Sequence, residues 1–173
     1  MRSDILQNIE SIYEQCDDMT VATVRPDGAP QAAVVSFVHD GLVLYFATAA
    51  SSQKATNICH DPRVAITMTQ PYATWNDIKG LSIAAIAEEV QDAQHVSDIS
   101  RLIVKRFPYV ALMDSDEVDA IVYFRLRPHH ISILDYEKGF GHTDLIAVNE
   151  DELTMQSQSV RYQWLMPMKH LPS

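Results

Sequence analysis

The sequence predicts a mainly β fold with inserted helices, an antiparallel barrel of six to seven strands, and three observations point to it. Short apolar or β-branched runs follow one another closely, separated by turn residues. Helical periodicity is confined to three brief stretches. Those stretches do not alternate with strands as βαβ units require.

The elements follow in order. Ile5, Leu6, Ile9, Ile12, Tyr13 and Cys16 recur at helical spacing and predict an amphipathic helix over 3–17, capped by Ser3. "MTVATVRPDGAPQAAVVSFVHDGLVLYFAT" then reads as three strands. Pro26-Asp27-Gly28 and Asp40-Gly41 supply the turns, the second tight enough for a hairpin. A short helix over 51–60 ends at Asp61-Pro62, and "RVAITMT" and "LSIAAIAEEVQD" give a fourth and a fifth strand. "SDISRLIVKRF" is a helix with Ile99, Leu102, Ile103 and Arg106 on one side, stopped by Pro108. "AIVYFRLRPHHISILDY" gives a sixth strand and a seventh after Pro128. From about residue 139 the chain is polar with little periodicity, a C-terminal extension. Neither a repeat nor a linker divides the 173 residues, so 1–173 reads as one domain.

Composition narrows the function. A formal charge of −10 argues against nucleic acid or an anionic membrane as partner. No run approaches the roughly 18 apolar residues of a membrane span. Cys16 and Cys59 have no paired spacing, and the N-terminal segment lacks an apolar core like that of a signal peptide; a reducing, cytoplasmic setting is expected. "AAVVSFV" and "LVLYFA" are apolar on both faces. One face fills a barrel and the other needs a cover, which points to a homodimer.

The stretch "LYFATAASSQKATNICHDPRVAITM" carries the chemistry. Between two strands it places Thr48, Ser51, Ser52 and Lys54 at the start of a helix. Short hydroxyls, first-turn N–H groups and one ammonium together suit an anion, and a phosphate is the natural one. A plain helix cap with a solvated lysine is the competing reading.

The order of these features resembles the pyridoxamine 5′-phosphate oxidase-like family, the FMN-binding split barrels. The resemblance is carried by Gly28-Ala29-Pro30, the strand 32–37, Phe46-Ala47-Thr48, Ser52-Gln53-Lys54 and Asp61-Pro62-Arg63-Val64. It implies a split β-barrel of FMN-binding type, a homodimer, and FMN held between subunits. It further implies that Val34, Val35 and Ser36 line the flavin ring. Ala47, Thr48, Ser51, Ser52, Gln53 and Lys54 would surround the ribityl phosphate. In the oxidase proper an arginine and a lysine serve the FMN near what are here about Ala32 and Phe37, and Gln53 replaces an arginine. The oxidase's C-terminal substrate-gripping motif has no counterpart here. The resemblance is therefore to the family's small reductase and stress-type flavoproteins.

Other residues carry candidate roles beside bland ones. In "DYEKGFGHTDLI", Gly139 and Gly141 allow a tight loop presenting Phe140 or His142, and His142 is the candidate polar contact or proton donor beside a flavin. A plain surface turn competes with that reading. Trp75 could cover a flavin or cap the barrel rim. Glu88 and Glu89 read as a solvated edge, and Cys59 has no base in view. His129 and His130, adjacent on a strand, are expected to face opposite sides and so not to chelate together; no metal site is expected.

The function these readings support is an FMN-dependent oxidoreductase acting on an unidentified small molecule. The alternatives are a non-catalytic flavin-binding or redox-sensing module, and a haem- or deazaflavin-binding relative on the same fold.

Overall fold

Ile9, Ile12 and Tyr13 are fully buried, which anchors the first helix against the sheet. The computed structural model describes residues 2–112, 120–149 and 152–159. Along them lie α1 (Arg2–Gln15), β1 (Asp18–Val24), β2 (Pro30–Ser36), β3 (Val38–Asp40), β4 (Val43–Ala49), α2 (Gln53–His60), β5 (Arg63–Thr69), β6 (Lys79–Glu89), α3 (Ala93–Arg106), β7 (Ile121–Asp135), β8 (Thr143–Asn149) and β9 (Glu152–Ser159). The nine strands form one antiparallel sheet that curls into a half-barrel, as the sequence predicts.

Strand order is β2-β1-β5-β6-β7-β4-β3, with β8 on β7 and β9 on β8. The long β7 organises this. One edge pairs with β6 from 124 to 135, apart from His129; the other pairs first with β4, at 121–126, then with β8, at 130–134. β2 and β4 come near each other without pairing, which leaves the barrel split.

Alternation places the core. On β5, Val64, Ile66 and Met68 point inward while Arg63, Ala65, Thr67 and Thr69 stay exposed. Phe46 and Phe124, partners across β4 and β7, stack at 5.4 Å inside the barrel. The opposite side of β3 and β4 carries Val38 and Tyr45, which α3 covers with Ile99. Arg106 at the end of α3 donates to the carbonyls of Tyr13 (2.9 Å) and Cys16 (2.6 Å), satisfying acceptors that α1 leaves open. Its guanidinium lies 5.1 Å from the Phe37 ring centroid.

Beyond the barrel the outer sheet face is made of small side chains. Ala22 stands opposite Ala32 and Ala65, Ala65 opposite Ala84, and Thr20 opposite Thr67 and Val34. Val34 is 69% exposed there.

Several expectations are corrected. Among the described residues nine strands form, not six or seven, because the short β3 closes a hairpin around Gly41 (φ 55°) and because 143–149 and 152–159 of the C-terminal extension are themselves sheet. β8 shows no alternation since both its faces are covered, so its apolar run carries no strand period. β7 is a single strand through Pro128, which sits at a register shift where a missing N–H is tolerated. α1 begins at Arg2, so Ser3 falls within the helix rather than ahead of it. Glu88 is an ion-pair partner of Arg125 (2.6 Å) and Arg127 rather than a free edge residue.

Candidate functional site

Thr48 follows buried Phe46 by two residues and shares its side of β4, at the partly exposed C-terminal end of the strand. The chain then turns, and Ser52, extended at φ −68° and ψ 147°, caps α2 by accepting from the Ala55 N–H at 3.3 Å. Thr48 Oγ1 donates to Ser52 Oγ at 3.2 Å, and Lys54 Nζ donates to Thr48 Oγ1 at 3.2 Å. Two hydroxyls and an ammonium thus converge at the first turn of α2. Lys54 spends its charge on a hydroxyl, so an incoming anion has no carboxylate to displace from that contact. Ser51 is exposed in the turn, and Ala47 is half-buried opposite Tyr123.

Gln53 turns the other way. Its Nε2 donates to Asn57 Oδ1 at 2.8 Å. Asn57, fully buried, donates in turn to Thr23 Oγ1 (2.9 Å) and Gln31 Oε1 (2.8 Å). The amide fixes α2 onto β1 and β2, and with it the orientation of Ser52 and Lys54. Sequence reading missed Asn57 and Gln31. The available signal was an asparagine on the inward face of the helix, between Ala55 and Ile58.

On β2, Val34 and Ser36 face outward, while Val35 is in the core, so Val35 offers a ligand its backbone alone. Ser36 Oγ donates to Asp18 Oδ1 at 2.6 Å.

The remaining candidates meet elsewhere. Trp75 begins a 3-10 turn closed by Thr74 and Asp77, and its ring lies 6.5 Å from Tyr136 and 6.1 Å from Phe140. Trp75 is 67% and Phe140 73% exposed. Gly139 (φ 134°) and Gly141 (φ 73°) form the tight loop beside them. His142 Nε2 bonds Asp144 Oδ1 at 2.8 Å, and Lys138 Nζ donates to Asp144 Oδ2 at 2.6 Å. Burial alone would raise the Asp144 pKa, but the Lys138 and His142 hydrogen bonds outweigh it and hold it below the ordinary value. This corner follows Asp135, whereas Thr48 pairs with Val122. The two groups lie at opposite ends of β7, so Trp75 and His142 do not join Thr48 within one chain.

The histidine pair is not as expected. Ala84 pairs with His130 and Ala85 with Pro128, which leaves His129 unmatched in a bulge. The two rings meet, Nδ1 to Nδ1, at 2.8 Å. No group of three or more metal-ligating side chains occurs among the described residues.

Comparison with known proteins supplies the family. A family model described as pyridoxamine 5′-phosphate oxidase matches residues 5–135. A curated pyridoxine/pyridoxamine 5′-phosphate oxidase of Kineococcus radiotolerans is 38% identical over 87 residues, which cover 50% of this chain but 37% of that protein. The match spans little more than a third of that relative's length. Among solved structures, a conserved hypothetical protein from Mycobacterium tuberculosis superposes with a TM-score of 0.66 at 24% identity, covering 76% of this chain and 85% of that one. A haem-binding protein from Mycobacterium smegmatis gives 0.66 at 18%, covering 79% and 55%. An F420 reductase gives 0.56 at 30%, covering 71% and 94%. With the family match running from α1 to the end of β7, this chain belongs to the pyridoxamine 5′-phosphate oxidase family.

Proposed function

We propose that the protein binds FMN between two copies of itself and is an oxidoreductase for a small molecule. The observation that carries this is the convergence of Lys54 Nζ, Thr48 Oγ1 and Ser52 Oγ at the first turn of α2. A phosphate there takes hydroxyl donors, a cation and the positive end of the helix dipole. Val34 and the backbone of Val35 and Ser36 supply an apolar wall for the ring. A second copy covers the small-residue face of β2, β1 and β5, and places its own Trp75 and His142 where one chain alone cannot. Bound flavin supplies the electron chemistry; the protein's residues bind and orient it. Free Cys16 and Cys59 fit a reducing, cytoplasmic setting.

The absorption spectrum of the purified chain after FMN addition and gel filtration tests the reading. Retained flavin bands support it, and anaerobic bleaching by NAD(P)H supports oxidoreductase activity over a passive flavin module. The likeness to an F420 reductase favours a deazaflavin as the second reading. A deazaflavin spectrum, or a Soret band from haem, would replace FMN.

A further inference from the structure

We propose that His129 and His130 form a two-nitrogen site for a late transition-metal cation, copper(II) foremost, on the bulge of β7. On a regular strand adjacent side chains leave opposite faces, and two neighbouring imidazoles cannot share an ion. Here the bulge removes that obstacle. β6 pairs with Pro128 and with His130 but skips His129, which also falls between the stretch of β7 that pairs with β4 and the stretch that pairs with β8.

The rings consequently stand 89° apart in plane, with centroids 5.0 Å apart and the Nδ1 atoms 2.8 Å apart. Two nitrogens so close share one proton or one cation; two imidazolium rings would repel. Imidazole nitrogens suit copper(II), which binds most tightly among the first-row divalent ions, and two of them on adjacent residues act as cis donors once the rings turn their lone pairs from each other to one point.

Two further features favour binding. His129 is exposed and His130 half-buried, so an ion reaches both from solvent. Both residues sit on a strand whose backbone is held at Ala84 and Ala147, so little ordering entropy is lost on chelation. Water fills the remaining coordination positions.

The test is titration of the full-length chain with copper(II) sulfate by calorimetry, with electron paramagnetic resonance on the one-to-one sample. The expected result is one tight site whose spectrum shows two coordinated imidazole nitrogens. His129→Gln and His130→Gln should each weaken it at least tenfold, and His60→Ala should leave it unchanged. A wild-type spectrum with fewer than two imidazole nitrogens would overturn the site without any variant. So would equal copper affinity in a folded double variant, which would mean adventitious binding at the other histidines.

Discussion

Asn57 Nδ2 donates to Gln31 Oε1 across 2.8 Å, and this contact ties the helix that carries Ser52 and Lys54 to the strand that carries Val34. The two halves of the proposed FMN site are therefore held in register by one buried amide.

Asn57→Ala should destabilise the protein by about 1–3 kcal/mol, because buried Thr23, half-buried Gln31 and exposed Gln53 lose their shared partner. Urea unfolding measures it. An unchanged midpoint would mean that the network contributes nothing.

Arg106→Ala should cost roughly 2 kcal/mol, since two carbonyls at the end of α1 lose a charged donor and Phe37 loses a stacked cation. Arg106→Lys should recover only part of this, because an ammonium lacks the planar, multi-donor guanidinium that serves both carbonyls and lies over the ring. Urea midpoints of the two variants rank the effects; equal losses in both would contradict the account.

Val34→Glu places a charge in the middle of the small-residue face. It should convert a dimer to a monomer with little loss of monomer stability, as Val34 is exposed in the single chain. Light scattering after gel filtration decides; a dimer that survives the change would put the interface elsewhere.

Acid should unfold the protein through Asp61 and Asp144. The side-chain hydrogen bond from Arg63 is the main cause that lowers Asp61 to about 2, and Lys138 with His142 lowers Asp144 against the opposing effect of burial. Folded pKa values below the ordinary carboxylate value mean that the unfolded chain binds more protons in acid. The stabilisation is full above pH ~5 and is lost as pH falls through the folded values. Asp144→Asn should flatten the acid limb of the stability curve; an unchanged limb would exclude that carboxylate as its source.

Much of this was legible in the sequence because the barrel strands alternate and because turns at Gly28 and Gly41 adopt positive φ, as glycine allows. The cluster of Thr48, Ser52 and Lys54 was legible too, since a cap and its first turn are local. What escaped depends on contacts between distant segments. β8 hides its strand period by being covered on both faces, and the bulge at His129 arises from register against β6. Asn57 looks like an ordinary helix residue until β1 and β2 bring Thr23 and Gln31 beneath it.

The central claim is that Lys54 and its hydroxyl neighbours neutralise a mononucleotide phosphate. The most direct measurement compares the affinity of FMN with that of riboflavin, which lacks the phosphate, in wild type and in Lys54→Glu. The account predicts that wild type prefers FMN at least tenfold and that Lys54→Glu removes the preference while leaving the fold intact. Equal affinity for the two flavins in wild type, or an undiminished preference in the variant, would contradict it.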